Sequence, residues 1–370
     1  MSRQIDFPVP RLPEALDTPA VVVDLDVVEG NIARLATEMR ERGVSLRPHA
    51  KTHKSVEIGK MQLAAGAGGL TVGTLGEAEI MADAGIRDLF IAYPLWASAA
   101  KAPRLRALHE KADLIVGVDS GWGAQALARA VEGSGRRLRV AVEVDSGGHR
   151  TGVGDPRDAA RVAIAARGAG LDVVGVFTHG GHGYVPGDRE KAAGEEVASL
   201  GAAQQALREA GIDVRMVSAG STPTATFSAR GSVTEERPGT YVYGDRMQVE
   251  LGTCTGAEVA LFVAATVVST AVPGRIVIDS GAKALTKDRA DWLEGHGTIP
   301  ALPGAVIRSL YDYHAVVEVP DGVTRPSVGE VLAVIPNHVC PVVDLVDSFV
   351  VSRGGQLVGH WPVDARGRSG

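Results

Sequence analysis

Two short segments of this 370-residue chain contain residue types that could do chemistry together. Residues 47–54 place Lys51 among the basic side chains of His49, His53 and Lys54. A lysine that is partly desolvated or close to other cations can form a Schiff base with a carbonyl group. Residues 336–340 place His338 and Cys340 one residue apart. The two segments predict an enzyme that uses an electron-sink cofactor and a Lewis acid on one substrate.

The spacing of His338 and Cys340 predicts a metal site. In an extended segment, side chains at positions i and i+2 point to the same face, so the imidazole and the thiolate could bind one ion. This ligand pair favours Zn²⁺ over harder metals. Two protein ligands leave positions open for water or substrate, which suits catalysis. The structural alternative is a buried cysteine beside a surface histidine.

The composition is that of an ordinary globular protein. A charged content of 22% and a net charge of −6 give no reason to expect nucleic acid or an anionic membrane as a partner. No apolar run approaches the roughly 18 residues that span a bilayer, and residues 1–10 lack a signal-peptide core. Cys254 and Cys340 make no disulfide framework. We therefore expect a cytoplasmic, reduced protein.

Residues 27–250 alternate between short apolar runs and helical patterns. Strands that alternate with helices indicate a parallel sheet, and eight apolar runs over roughly 220 residues fit a (β/α)8 barrel. A doubly wound sheet is the alternative, and a further run at 20–24 could shift the strand count by one. The predicted barrel strands are 45–48, 69–73, 88–92, 113–118, 138–144, 173–178, 214–219 and 239–243. The predicted helices are 56–65, 75–84, 99–111, 123–131, 156–169 and 189–210.

After about residue 250 the pattern changes to strands with few helices between them. The predicted strands are 258–269, 274–279, 314–319, 331–335, 349–351 and 357–361. We predict a mainly β domain of residues 251–370 together with 1–26, beside a barrel domain of residues 27–250. The β domain would carry the metal pair.

Polar residues follow several of the predicted barrel strands, at the end where barrel enzymes build their active sites. Gly220, Ser221 and Thr222 follow one strand, and Gly239 and Thr240 belong to the next segment. Backbone amides at a helix start bind anions, and the last two strand–helix loops of a barrel frequently bind phosphate. Two ordinary turns are the structural alternative.

Two further strand ends carry ionisable groups. His179, His182 and Tyr184 lie in a glycine-rich segment and supply acid–base or stacking groups. We favour a cofactor-contacting loop over a metal site or a turn with solvated histidines. Arg150 follows another strand and could pair with a phenolate or a carboxylate, or could form a structural salt bridge.

These motifs resemble the D-threonine aldolase / D-serine dehydratase family, which are fold-type III pyridoxal-phosphate (PLP) enzymes related to alanine racemase. The resemblance spans nearly the whole chain, and the Arg-Pro-His-x-Lys-Thr-His-Lys pattern at 47–54 is highly specific. Residues 74–79 and 92–94 look more like the dehydratase branch. His338-x-Cys340 is similar to the zinc pair of that branch, where D-threonine aldolases often carry His-x-Asp. Residues 312–315, Asp-Tyr-His-Ala, depart from the family's Asp/Glu-Glu-His-Gly pattern.

The resemblance implies an alanine racemase-like barrel with a C-terminal β domain, PLP bound to Lys51, and a homodimer. The implied catalytic residues are Lys51, His179 and His182, and His338 with Cys340 would hold Zn²⁺ or Mn²⁺. Arg150 would hold the phenolate oxygen of the cofactor. Arg237 occupies the position at which alanine racemase places an arginine against the pyridine nitrogen. The implied cofactor-binding residues are Lys51, Arg150, His179, Tyr184, Ser221, Thr222, Arg237, Gly239, Thr240 and Tyr241.

The expected reaction is β-elimination from a D-3-hydroxy-α-amino acid, such as D-serine or D-threonine, to a 2-oxo acid and ammonia. Retro-aldol cleavage to glycine and an aldehyde is the main alternative, because a metal at the 3-hydroxyl serves both reactions. An amino-acid racemase has no use for the metal. A non-catalytic PLP-binding protein of the single-barrel kind would lack both the β domain and the metal pair.

Overall fold

The computed structural model describes residues 6–370, which divide into two compact units. The barrel unit comprises Arg34–Lys51, Val56–Gly239 and Gly367–Gly370. The β unit comprises the described chain up to Ala33, Thr52–Ser55 and Thr240–Arg366. Residues 1–5, where the predicted β-domain segment 1–26 begins, lie outside the described residues.

The elements are numbered in chain order. The strands are β1 (Ala20–Asp24), β2 (Ser45–Leu46), β3 (Leu70–Val72), β4 (Asp88–Pro94), β5 (Asp113–Val118), β6 (Arg139–Glu143), β7 (Asp172–Phe177), β8 (Met216–Ala219), β9 (Glu235–Glu236), β10 (Leu261–Ser269), β11 (Arg275–Ile278), β12 (Val306–Leu310), β13 (Ala315–Glu318), β14 (Val331–Val334), β15 (Ser348–Arg353) and β16 (Gln356–Pro362). The α-helices are α1 (Leu25–Glu41), α2 (Val56–Ala64), α3 (Leu75–Asp83), α4 (Ala102–Lys111), α5 (Gly121–Ala130), α6 (Pro156–Gly168), α7 (Arg189–Glu209), α8 (Ala225–Ser228), α9 (Arg246–Glu250), α10 (Ala282–Leu285) and α11 (Val339–Val343). Short 3-10 helices span Ala50–Thr52, Gly181–Gly183, Thr240–Val242 and Gly256–Glu258.

Eight parallel strands form the sheet of the barrel unit, in the order β2-β9-β8-β7-β6-β5-β4-β3. The two ends of this order are joined by a parallel bridge between His49 and Thr71. The Thr71 N–H also donates to the Pro48 carbonyl oxygen at 2.8 Å. The sheet therefore closes on itself, so the predicted (β/α)8 barrel is confirmed and the doubly wound alternative is excluded.

Seven of the eight predicted barrel strands and all six predicted helices overlap observed elements. The prediction of the eighth strand at 239–243 is wrong, because this segment contains the 3-10 helix Thr240–Val242. The strand is instead β9, formed by Glu235 and Glu236. Its two acidic side chains are buried among polar partners, so the strand has no apolar run to mark it. The run at 20–24 forms β1, which pairs with β10 in the β unit and leaves the barrel count unchanged.

Apolar side chains fill the interior of the barrel. Phe90 and Phe177 meet edge to face, with ring centroids 5.0 Å apart. Gly117 makes room for them, because a Cβ atom there would lie 2.7 Å from the Phe177 ring and 2.8 Å from the Tyr93 carbonyl oxygen. The cluster comprises Phe90, Ile115, Ala141, Val174, Phe177 and Met216. Because this interior is packed, a ligand of the barrel must bind at an end of the strands.

The β unit contains a sheet in the order β12-β13-β11-β10-β1-β15-β16, with β14 also pairing with β10. Its core cluster comprises Val22, Val249, Val259, Phe262, Ala264, Ala333, Ile335 and Val350. The prediction missed β12, whose alternation is broken by a register shift between Ile307 and Ser309. Within residues 6–370, no helix is long and apolar enough to cross a membrane.

Arg47, the first residue of the basic motif, forms a buried ion pair inside the barrel unit. Its Nε lies 2.7 Å from Glu235 Oε2, and its Nη1 lies 2.6 Å from Asp88 Oδ1. Arg47 and Glu235 are only 7% and 5% exposed. Removing one member of a buried pair leaves the other charge desolvated and unpaired. Arg47 therefore supports the barrel at the strand that leads to Lys51.

Replacing Arg47 by methionine should lower the free energy of unfolding by about 3–5 kcal/mol, because Glu235 would stay buried without its direct ion-pair partner. Urea unfolding followed by circular dichroism measures the loss. The control is Lys60→Met, since Lys60 forms an exposed pair with Glu57 at 2.9 Å, a kind of pair worth about 0–1 kcal/mol. Equal losses in the two variants would contradict a supporting role for Arg47.

Candidate active site

Lys51 lies in a 3-10 turn directly after β2, at the carboxyl end of a barrel strand. Its backbone N–H donates to His49 Nδ1 at 3.3 Å, and the His49 N–H donates to the Pro238 carbonyl oxygen at 3.0 Å. The Lys51 side chain is half-buried, and within residues 6–370 no side chain forms an ion pair or a hydrogen bond with its amine. No carboxylate among these residues therefore holds the Lys51 amine in an ion pair.

The other basic residues of the motif make structural contacts. The Lys54 amine lies 2.6 Å from Asp344 Oδ1 and is buried. His53 is also buried, and its Nδ1 accepts a hydrogen bond from the Ser55 N–H at 3.1 Å. The positive charge of Lys54 is therefore paired with Asp344.

His179 follows β7 at the carboxyl end of the barrel. Burial, together with the positive charges of Lys51, Arg150 and Arg237, holds the pKa of His179 well below its usual value. The imidazole is therefore neutral at physiological pH. A neutral ring with a lowered pKa is a weak proton acceptor but can stack or hydrogen-bond to a bound ring. The structure thus brings four of the predicted residues into one electrostatic environment.

Arg150 and His179 line a cavity of about 220 Å³ at the ends of β6 and β7. Within the described residues the exposed guanidinium of Arg150 has no hydrogen-bonded partner, so it can receive an anionic group. Glu143, which the sequence analysis missed, also lines the cavity. Its Oε1 accepts a hydrogen bond from the Thr151 hydroxyl at 2.9 Å, and burial raises its pKa. Its place as the last residue of β6 was the available signal.

His182 contacts two parts of the barrel unit. Its Nε2 lies 2.8 Å from Glu195 Oε2, and a Cβ atom added to Gly147 would lie 3.2 Å from the same nitrogen. The ring therefore packs on the loop that carries Arg150. Tyr184 ends the 3-10 turn of His182, and its N–H donates to the Gly181 carbonyl oxygen at 3.3 Å.

The predicted phosphate residues lie in turns after the last two barrel strands. Ser221 and Thr222 are buried after β8. The Ser221 hydroxyl lies 3.0 Å from Thr224 Oγ1 and donates to the Gly180 carbonyl oxygen at 3.3 Å. The turn after β9 contains Gly239, Thr240 and Tyr241, all of them buried. A turn next to the His179 loop is thus held in place by its own hydroxyl groups.

Arg237 is fully enclosed in the barrel. Its Nη1 donates to Ser218 Oγ at 2.5 Å, and its Nη2 donates to the Thr178 carbonyl oxygen. The guanidinium carbon lies 5.6 Å and 5.3 Å from the ring centroids of Phe90 and Phe177. Arg237 is therefore a rigidly held cation, and this rigidity suits a group that faces a cofactor ring.

His338 and Cys340 lie at the start of a helix. The segment is not extended through Cys340, because α11 begins at Val339 with His338 as its N-cap residue. The two side chains still converge. Burial lowers the pKa of His338, but the charge and hydrogen bond of Cys340 and the hydrogen bond to Asp288 outweigh it and raise the pKa to about 11.

The surroundings of Cys340 fit a bound ion. Its Sγ lies 3.3 Å from Thr52 Oγ1 and 3.9 Å from Thr240 Oγ1. The Tyr243 hydroxyl is buried and has no hydrogen-bonded partner among the described residues. Burial and the nearby charge of Cys340 raise its pKa well above the usual value. Within residues 6–370, no group of three or more His, Cys, Asp and Glu side chains is arranged to hold a metal.

Two acidic residues missed by the sequence analysis fix this segment. The Nδ1 of His338 lies 2.7 Å from Asp288 Oδ2, which leaves Nε2 as the nitrogen for a metal. Asp245 accepts hydrogen bonds from the Val339 and Gln248 N–H groups at 3.2 Å and 2.8 Å. Burial raises the pKa of Asp245 to about 6.

Comparison with known proteins shows the family of the chain. Residues 23–247 match the alanine racemase N-terminal domain family, and residues 260–352 match a putative serine dehydratase domain. The chain belongs to the D-threonine aldolase / D-serine dehydratase family of fold-type III PLP enzymes. The predicted family, fold and PLP-dependent lyase class are thereby confirmed.

Two members of this family illustrate its chemistry. The chain is 38% identical to a D-threo-3-hydroxyaspartate dehydratase from Delftia sp. (strain HT23) over 88% of this chain and 91% of the relative. It also matches the crystal structure of a D-threonine aldolase from Filomicrobium marinum with a TM-score of 0.89 and 31% identity, covering 98% of this chain and 99% of that one. Solved structures of the dehydratase include a histidine-to-alanine mutant and a cysteine-to-alanine mutant in the metal-free form.

Replacing Asp288 by asparagine should weaken Zn²⁺ binding by about 10- to 100-fold, the usual cost of losing the carboxylate that orients a metal-bound histidine. Titration of the metal-stripped protein against a chromophoric chelator measures the affinity. Asp291→Asn, at an exposed aspartate of the same loop, is the matched control and should bind Zn²⁺ as the wild type does. Unchanged affinity in Asp288→Asn would show that His338 does not need this partner.

Proposed function

We propose that the protein is a PLP- and divalent-metal-dependent dehydratase of a D-3-hydroxy-α-amino acid, with a 2-oxo acid and ammonia as products. The observation that carries this proposal is the unpaired amine of Lys51 at the carboxyl end of the barrel strands. The converging side chains of His338 and Cys340 would hold the divalent metal. The 38% identity to a D-threo-3-hydroxyaspartate dehydratase supports elimination as the reaction.

Residues at and after the carboxyl ends of the barrel strands would bind and orient PLP, which supplies an electron sink for charge that develops at the substrate Cα. Lys51 would bond to the cofactor aldehyde, Arg150 would pair with the phenolate oxygen, and Arg237 would face the pyridine nitrogen. His179, neutral because its pKa is lowered, would contact the ring together with Tyr184. The phosphate would be bound by Ser221, Thr222, Gly239, Thr240 and Tyr241.

His338 and Cys340 would hold Zn²⁺ or Mn²⁺, which supplies a Lewis acid for the 3-hydroxyl group of the substrate. Asp288 would keep the His338 ring in the orientation that presents Nε2. The two residues mutated in the Delftia dehydratase structures are separated by one residue, as His338 and Cys340 are here. A thiolate and an imidazole are ligands that zinc prefers.

Lys51 would be the base that takes the α-proton of the substrate. The 3-hydroxyl group would leave as water, so one proton is taken from Cα and one is added to the departing oxygen. The released enamine would tautomerise, and one water molecule would hydrolyse it to the 2-oxo acid and ammonia. The overall change for D-threonine is conversion to 2-oxobutanoate and ammonia.

Retro-aldol cleavage is the second candidate, because D-threonine aldolases are close in sequence and structure. Retro-aldol cleavage requires a base that takes the proton of the 3-hydroxyl group, whereas in elimination that group leaves. His182, hydrogen-bonded to Glu195 at 2.8 Å, is the imidazole–carboxylate pair that would act as this base. A homodimer and a cytoplasmic location remain predictions drawn from the sequence.

Replacing Lys51 by alanine should abolish the covalent attachment of PLP and lower turnover by at least about 10²–10⁴-fold, the range for removal of a general base. Borohydride reduction followed by peptide mapping should find the cofactor on Lys51 in the wild-type protein. Lys60→Ala, at an exposed helical lysine, should keep both the attachment and the turnover. Attachment that persists in Lys51→Ala would remove this lysine from the mechanism.

Product analysis by NMR tests the reaction itself, with D-threonine and D-threo-3-hydroxyaspartate each incubated with the PLP-loaded protein. We expect 2-oxobutanoate or oxaloacetate together with ammonia, loss of turnover after chelation, and recovery with Zn²⁺ or Mn²⁺. Glycine with an aldehyde would assign the protein to the aldolases. Full turnover after complete metal removal would contradict the role of His338 and Cys340.

A further inference from the structure

Glu143 is a buried carboxyl group in the wall of the cavity of about 220 Å³ that Arg150 and His179 also line. Its Oε1 accepts a hydrogen bond from the Thr151 hydroxyl at 2.9 Å. Its Oε2 is buried and has no hydrogen-bonded partner among the described residues. Burying a carboxyl oxygen without a donor is costly. The mechanism above does not use Glu143, so its second oxygen calls for a partner in the cavity wall.

Arg150 can supply this partner. Its guanidinium has several N–H donors in a planar fork and no hydrogen-bonded partner within the described residues. Asp145, the other carboxylate that lines the cavity, is already satisfied. Its Oδ1 accepts hydrogen bonds from the Gly147 and His149 N–H groups at 2.9 Å and 3.0 Å, and its Oδ2 lies 2.8 Å from His149 Nδ1. Glu143 is therefore the acid of this cavity wall with an oxygen left for Arg150.

The loop that carries Arg150 returns to Glu143. The Val153 N–H donates to the Glu143 carbonyl oxygen at 3.0 Å, and a Cβ atom on Gly152 would lie 3.1 Å from Glu143 Cγ. Thr151, which is hydrogen-bonded to Glu143, directly follows Arg150. Consecutive Cα atoms are about 3.8 Å apart, so the carboxyl group is within reach of the long arginine side chain. The terminal torsion of a glutamate is soft, so a small rotation turns Oε2 toward the cavity.

Two other charged groups act on Glu143, and neither replaces this contact. Asp119 is not part of the cavity wall, and its Oδ2 accepts a hydrogen bond from the Gly152 N–H at 3.5 Å. Arg237 directs its two terminal nitrogens to other acceptors. Burial raises the pKa of Glu143, while its hydrogen bond and the charge of Arg150 oppose this rise. A guanidinium in direct contact would favour the charged carboxylate further.

We propose that Glu143 is a positioning residue for Arg150, which it holds in a hydrogen-bonded ion pair so that the remaining N–H donors of the guanidinium face the phenolate oxygen of PLP. The planar fork of arginine carries donors on more than one edge, so one guanidinium can contact a carboxylate and a second anion together. Glu143 touches neither cofactor nor substrate in this arrangement and acts through Arg150. This inference rests on the proposed function, which places the phenolate oxygen at Arg150.

The test compares Glu143→Gln with Asp119→Asn in the full chain stripped of cofactor. Each variant is titrated with PLP and with 3-deoxypyridoxal 5′-phosphate, which lacks the ring oxygen. The PLP affinity of Glu143→Gln should fall by about 10- to 100-fold, the usual effect of losing a hydrogen bond between charged groups. Its affinity for the 3-deoxy analogue should stay within about threefold of the wild type. Asp119→Asn should bind both compounds as the wild type does, because Asp119 does not line the cavity.

Further variants separate positioning from support of the loop. In an Arg150→Met background, Glu143→Gln should cause no additional loss of PLP affinity, since the residue through which Glu143 acts is gone. Thr151→Val removes the other hydrogen bond of Glu143 and should lose less PLP affinity than Glu143→Gln does. The absorption maximum of bound PLP, which depends on the ionisation of its ring oxygen, should shift in Glu143→Gln and stay in place in Asp119→Asn.

Equal losses for PLP and the 3-deoxy analogue, wild-type affinity for both, or an undiminished effect of Glu143→Gln in the Arg150→Met background would overturn the positioning role. If Glu143→Gln does not fold, Arg150→Lys gives the same test. Lysine keeps the charge but lacks the planar fork that contacts both groups, so a selective loss for PLP supports the pairing and wild-type affinity overturns it. Wild-type PLP affinity in Arg150→Met would instead overturn the proposed place of the phenolate oxygen.

Discussion

The barrel unit depends on the charge of Arg237, which is enclosed in its interior. Burial lowers the pKa of this guanidinium, and the charges of Glu235, Glu236, Glu196 and Glu143 oppose the change. Two hydrogen bonds and two aromatic rings complete its surroundings. A buried cation is stable only where acceptors and counter-charges surround it. The interior of this barrel is therefore organised around one charge as well as around an apolar core.

The residues of β9 follow from this constraint. Side chains alternate between the two faces of a strand, so Glu235 points inward with Arg237 while Glu236 points outward. Glu235 accepts hydrogen bonds from Arg47 and from Ser218, and Ser218 in turn accepts one from Arg237. Glu236 instead contacts Ser228 and the backbone at Gly220. A strand of only two residues thus links the interior charge to the turn proposed to bind phosphate.

The elements were predictable where an apolar pattern marks them, and unpredictable where polar contacts replace that pattern. Strands β4 to β7 and helices α2 to α7 follow from buried apolar runs and their periodicity. Strand β9 does not, because both of its residues are glutamates, and their side chains are hydrogen-bonded to arginine and serine side chains. The His338 and Cys340 pair shows the opposite case. The two side chains interact, but the backbone begins a helix at Val339, where the sequence reasoning assumed an extended segment.

The barrel class and the lysine at a strand end are encoded in neighbouring residues, so they could be read from the sequence, which also predicts His338 and Cys340 as metal ligands. The groups that hold these residues in place come from distant parts of the chain. Arg47 and Glu235 are 188 positions apart, and Asp288 and His338 are 50 apart. Glu196 reaches Gly220 from a helix 24 residues earlier. Contacts between distant residues leave no local pattern in the sequence. An acidic residue looks the same there whether or not folding brings a partner within hydrogen-bond distance of it.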